Sequence, residues 1–145
     1  MHYQRPRSEW NVIEENLKQY KDKGFTIINT MTVTSFNIHQ IPKFINEQGY
    51  LFDYMVYTPV RFPEEYRVNL IQPSKLEQIV EELKQAEDPE QGDLKNIIKD
   101  IEENYMYTPN DKIIEKFWTQ AEYMKQHRGV DLETLISEMY AHYIR

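Results

Sequence analysis

The feature that most constrains this chain is a change of hydrophobic period near Pro73. Before it, apolar residues recur partly at intervals of two; beyond it they recur at intervals of three and four. A period of two belongs to a strand with one solvated face, and a period near 3.6 to an amphipathic helix. The pattern predicts an α+β fold. An N-terminal α-β-α-β-β unit carries a small sheet of about three strands, packed with a helical C-terminal layer of about four helices.

In the first half, Ser8 is an expected N-cap, and Trp10, Ile13, Leu17 and Tyr20 follow at helical spacing until Gly24. Phe25, Ile27, Met31 and Val33 then alternate with Thr26, Thr30, Thr32 and Thr34, as a strand with a threonine-lined outer face would. Pro42 fits the first turn of a short helix through Phe44 and Ile45 that stops at Gly49. Residues 50–57 are apolar on both faces, which predicts a central strand closed by Thr58-Pro59. Residues 66–71 are expected to form a third strand, with Tyr66, Val68 and Leu70 on one face.

In the second half, Ser74-Lys75-Leu76-Glu77 has the spacing of a capping box ahead of Leu76, Ile79, Val80 and Leu83. A turn over 87–92 leads to Leu94, Ile97, Ile98, Ile101 and Tyr105. Thr108-Pro109-Asn110-Asp111 offers an N-cap, a proline at N1 and an acid at N3, before Ile113, Ile114, Phe117, Trp118, Ala121 and Met124. Gly129 is an expected left-handed cap. Asp131 is expected to open one last helix with Leu132, Leu135, Ile136, Met139 and Tyr143 inward, forming a hairpin against Phe117, Trp118 and Met124.

A length of 145 residues suits a single domain over 1–145, with 1–73 and 74–145 as its two layers. Charge divides at the same point. Residues 1–73 hold 8 acidic and 8 basic side chains, residues 74–145 hold 16 and 9, and the net charge is -7. That balance argues against direct nucleic-acid binding, which needs a concentrated basic face. Mean hydropathy is -0.76, and no long apolar run suits a membrane span or a signal segment after Arg5 and Arg7. The absence of cysteine suits a cytoplasmic protein and removes thiolate chemistry.

Motifs for catalysis are missing. His2, His39, His127 and His142 are scattered, no HExxH or GxSxG occurs, and the four glycines stand alone. No metal or cofactor is therefore expected. Glu138 and His142 share a helix face at i,i+4, where a carboxylate can orient an imidazole. Ten acids between 77 and 103 invite comparison with DNA mimicry, but Lys84, Lys95 and Lys99 interrupt the array. Asp53, in register with Leu51 and Met55, is expected to be buried and paired with Arg61 or Arg67.

The densest unusual stretch lies between Tyr50 and Arg67, with Tyr54, Tyr57, Phe62 and Tyr66 beside Arg61 and Arg67. Tyr and Arg anchor interfaces because they bury large area with a polar tip. Tyr54, Tyr57, Arg61, Phe62, Tyr66, Arg67 and Asp53 are thus the candidate binding residues. The expected function is a non-catalytic cytoplasmic binding protein, of the kind by which a phage or mobile element inhibits or regulates a host protein. The alternatives are a protein that sequesters a small nucleotide-like ligand, and an enzyme built around Asp53 and His39. A homo-oligomer fits any of these readings.

Overall fold

A computed structural model describes residues 9–88 and 93–145. The Ser8 cap, His2 and most of the 87–92 turn fall outside those residues. Helix α1 (Trp10–Asp22) starts from Glu9 and ends where Gly24, at φ 82°, reverses the chain. Glycine takes that left-handed conformation without a Cβ clash. The helix lies on the core without sinking into it. Trp10 meets the Phe44 ring edge-on at 5.5 Å, whereas Tyr20 stays exposed beside Phe25.

Strand β1 (Ile28–Val33) leads through a 3-10 turn (Ile38–Gln40) into α2 (Ile41–Gln48), with Pro42 in its first turn as expected. Strand β2 (Tyr54–Pro59) then returns parallel to β1, with Ile28 opposite Tyr54 and Val33 opposite Pro59. Parallel strands require a crossover, and α2 supplies it. The alternation in β1 is as the threonines predict: Val33 is buried, while Ile28, Thr30 and Thr32 face outward. Residues 50–57 depart from expectation. A 3-10 turn (Gly49–Leu51) prolongs α2, so β2 begins only at Tyr54. Met55 and Tyr57 point inward, but Val56, on the outer face, is 38% exposed.

The third strand does not form. Its segment makes 3-10 turns at Glu64–Tyr66 and Val68–Leu70, burying Val68, Asn69 and Leu70 in succession, and only Ile71 bridges antiparallel to Tyr143. Three alternating apolar residues suit a tight turn that buries consecutive side chains as readily as a strand. Among the described residues the sheet therefore has two strands.

The helical half follows its apolar stripes. Helices α3 (Pro73–Gln85), α4 (Leu94–Asn104) and α5 (Asp111–Arg128) bury Leu76, Ile79, Val80, Leu83, Leu94, Ile97, Ile98, Ile101, Ile114, Phe117 and Met124. Two caps lie elsewhere than expected. Gln72 is the N-cap of α3 with Pro73 in the first turn, so Ser74 is inside the helix and forms no cap. Asn110, not Thr108, caps α5 and accepts from the Ile113 N–H at 3.2 Å. Gly129 does take the left-handed conformation, at φ 64°. The last helix is two short pieces, α6 (Leu132–Leu135) and α7 (Ser137–Tyr140), broken at Ile136 with φ -132°. Helix cannot continue past α7 because the chain is drawn into extended pairing: Ile144 N–H donates to Leu70, and Gln72 N–H to His142.

One buried cluster runs from Ile27 and Val33 through α2, α3, α4 and α5 to Tyr143. Phe117 and Ile136 lie within it, Leu135 turns outward, and Trp118 is half-buried, its Nε1 donating to the Ile144 carbonyl at 2.9 Å. Among the described residues no helix is long and apolar enough to cross a membrane.

Candidate functional site

The loop over residues 60–67 leaves β2 immediately after the Val60 N–H closes the ladder on the Val33 carbonyl. Pro59 and Pro63 limit its backbone freedom, and the peptide between Phe62 and Pro63 is cis. Local bonds then fix it. Tyr66 N–H donates to Pro63 and Arg67 N–H to Glu64, giving the turn Glu64–Tyr66. Arg67 Nε donates to the Arg61 carbonyl at 2.8 Å, its terminal nitrogen lies 2.9 Å from Glu64 Oε1, and its guanidinium sits 5.3 Å from the centre of the Phe62 ring. One arginine thus closes the loop, neutralises a carboxylate and caps an aromatic.

Tyr66 anchors the loop to the core. Its carbonyl accepts from Ser35 N–H, and its ring meets Phe36 edge-on at 5.5 Å; Phe36 in turn stacks on Phe117. Burial raises the Tyr66 hydroxyl above its ordinary range, with Glu65 adding to the shift and Arg128 opposing it. The C-terminal end of α4 is on the same side. Tyr105 is raised by burial and by Asp100, and feels Arg61 and Arg67 in the opposite direction. Outward, the surface ends in Phe62, 77% exposed, with Arg61 also exposed. A benzyl ring that open to water, held on an ordered loop, is the least expected exposure among the described residues.

No family model matches this chain, and no curated protein or solved structure is significantly similar to it.

The remaining candidates are dispersed. Tyr57 faces the core, and its hydroxyl donates to Asp88 at 2.9 Å; burial and that carboxylate push the phenol far up, while burial raises Asp88. Tyr54 lies half-buried on the outer sheet face opposite Ile28. Asp53 is neither buried nor paired with Arg61 or Arg67. It is exposed, accepts from the Ile27 N–H at 2.7 Å, and stands 3.6 Å from Lys21, so its carboxyl lies below the ordinary range, chiefly through the Ile27 bond. The strand pattern carried back from Met55 fails there because residue 53 precedes β2. Asp53 N–H also donates to the Ile27 carbonyl, so this residue ties the two strand entrances together.

His39 lies in a different environment. Its ring is buried, with Nε2 3.1 Å from Glu138 Oε1, and burial holds the imidazole below its usual range while Glu138 opposes this. Glu138 therefore meets His39 across the fold. Asp53 and His39 have separate partners and share no acid–base arrangement. Among the described residues no group of His, Asp and Glu is placed to hold a metal. A shallow depression of about 420 Å³ lies between α2 and α3, lined by Pro42, Lys43, Asn46, Glu47, Glu82 and Gln85, and contains none of the candidates. The acidic helices are laced: Lys84 bridges Glu81 of α3 and Glu102 of α4 at 2.7 and 2.8 Å.

Tyr105 and Phe36 complete the loop's surroundings without having been singled out by sequence as site residues. Their approach depends on how α4 and β1 dock.

Proposed function

We propose that this is a non-catalytic binding protein, acting in the cytoplasm, that contacts and regulates another protein through the loop over 60–67, with Phe62 as the anchor and Arg61 beside it. The observation that carries this reading is the 77% exposure of Phe62 on a loop already ordered by Arg67, Arg61 and Glu64. A preordered aromatic anchor loses little entropy when a partner covers it. The composition, free of cysteine, suits the compartment. A nucleotide-binding reading is less favoured because Arg67 already has Glu64, the Arg61 carbonyl and the Phe62 ring as partners.

A photo-crosslinking amino acid at position 62, expressed in the native cell, tests the proposal against the same group at Lys99, an exposed side chain of α4. Position 62 is expected to give one discrete adduct. Excess wild-type protein should compete it away, and excess Phe62→Ala protein should not. Adducts of equal pattern from both positions, or none from position 62, would overturn it. A rise in melting temperature with nucleotides that Arg61→Ala abolishes would favour the small-ligand reading instead.

A further inference from the structure

Strand β1 has one hydrogen-bonding edge that the described residues leave open from Ile28 to Thr30. The Ile27 carbonyl accepts from Asp53 and Tyr54 N–H, and the Val33 carbonyl from Val60 N–H, so odd-numbered residues of this segment face β2. Successive residues of a strand direct their backbone groups to opposite edges. The N–H and C=O of Ile28, Thr30 and Thr32 therefore point away from β2. The Thr32 carbonyl is satisfied by Asn37 Nδ2 at 2.8 Å. Among the described residues, those of Ile28 and Thr30 have no partner. The outer edge of β2 differs, since the Met55 carbonyl accepts from Asp93 N–H at 3.1 Å at the start of α4.

Side-chain burial falls away at the same place. Ile28, Thr30 and Thr32 are exposed on the outer face, and even on the inner face Asn29 and Met31 are only half-buried, whereas Met55 and Tyr57 on β2 are 1% and 4% exposed. Proteins normally guard such an edge with lysine, proline or a bulge. The six residues of β1, Ile-Asn-Thr-Met-Thr-Val, contain no charge and no proline, and pair regularly along their whole length.

We propose that β1 pairs antiparallel with β1 of a second copy of this chain, joining two small sheets into one across a two-fold axis. In the self-complementary register, Ile28 lies opposite Thr30 of the partner subunit and each exchanges both backbone bonds with the other. Asn29 faces Asn29 of the partner subunit on the axis, amide to amide. This register uses every free backbone group of Ile28 and Thr30 and leaves the Thr32 carbonyl to Asn37. The occupant is a copy for two reasons. The free groups map onto themselves under a two-fold rotation, as an isologous interface requires. The strand is uncharged, so two chains of net charge -7 meet through it with no like charges opposed within the strands. The surface is distinct from the Phe62 loop, and its failure would leave that proposal standing.

Light scattering across a concentration series, with amide hydrogen exchange on the same samples, tests this. Mass is expected to rise toward twice the monomer with concentration. Ile28 and Thr30 amides should exchange fast in dilute protein and become protected as the dimer forms, while Asn29 and Met31 amides, which face β2, stay protected throughout. Ile28→Lys places a charge on the edge and Thr30→Pro removes an outward N–H. Both should remain monomeric with an unchanged near-UV circular dichroism spectrum, and Ile28→Lys decides the matter if the proline variant unfolds. A monomeric mass at every concentration overturns the proposal. So does a dimer in which Ile28 and Thr30 amides gain no protection, or one that Ile28→Lys leaves intact.

Discussion

The two halves of this molecule solve the same packing problem differently. Residues 74–145 place apolar side chains on helical stripes and sink them, leaving Tyr107, Tyr123 and Leu135 as the large exposed apolar residues there. Residues 9–73 use short strands, 3-10 turns and one loosely docked helix, and leave Val12, Tyr20, Phe25, Ile28, Tyr50, Val56 and Phe62 open. The charge runs the other way. The half carrying the net negative charge is the well-covered one, and the charge-balanced half shows its apolar surface. A neutral surface with open aromatics suits contact with a partner, and a charged one suits water. The acidic helices act as support, with Lys84 tying two of them together.

That contrast breaks most readily at Phe117, which is 1% exposed and touches the Phe36, Trp118 and Tyr143 rings. Phe117→Ala should cost about 3–5 kcal/mol by urea denaturation. Trp118→Ala should cost less, because that side chain is only partly buried; equal losses would mean that α5 is buried more evenly than its contacts show. At the junction of the halves, Tyr57→Phe removes the bond to Asp88 and should cost about 1 kcal/mol. A neutral result there would mean that water replaces the phenol.

His39 sharpens the comparison through pH. Burial lowers its folded-state pKa below the ordinary 6.5. The unfolded chain therefore binds the proton more readily, and this contribution to stability is present above about pH 6.5 and is lost as pH falls below it. Glu138 on α7, with Glu82 on α3, opposes the shift, and Lys75 on α3 reinforces it. Between about pH 7 and pH 5 the wild-type urea midpoint should fall more than that of His39→Gln; parallel curves would place a charged imidazole in the folded state. The smallest effect on stability belongs to Phe62→Ala, expected within about 0.5 kcal/mol of wild type even though that protein should not compete for the crosslink. A large loss of stability would make Phe62 part of the packing of the first half.

Legibility followed the same division. The stripe Leu76, Ile79, Val80, Leu83 and the left-handed Gly129 could be read directly, because i to i+4 spacing and positive φ are local properties. Tyr66, Val68 and Leu70 were not readable in this way. Their alternation also fits consecutive 3-10 turns, and only the docking of Tyr66 on Phe36 and of Ile71 on Tyr143 selects the turns. Of the candidate residues, Arg61, Phe62, Tyr66 and Arg67 fall within the single stretch 61–67 and form one loop. Tyr57 and Asp53 were close in sequence but were claimed by Asp88 and by Ile27 and Lys21.

Sequence by itself determined that this chain makes an α+β fold with a β-containing first half and an acidic helical second half. Periodicity, glycine and proline placement and charge act over a few residues and need no knowledge of the rest of the chain. Tertiary structure alone decided that, among the described residues, the sheet stops at two strands, that Asp53 meets solvent and His39 does not, and that Tyr105 comes to the Phe62 loop. Each of those outcomes depends on which distant element arrives to cover a residue, and burial is set by that packing rather than by local spacing.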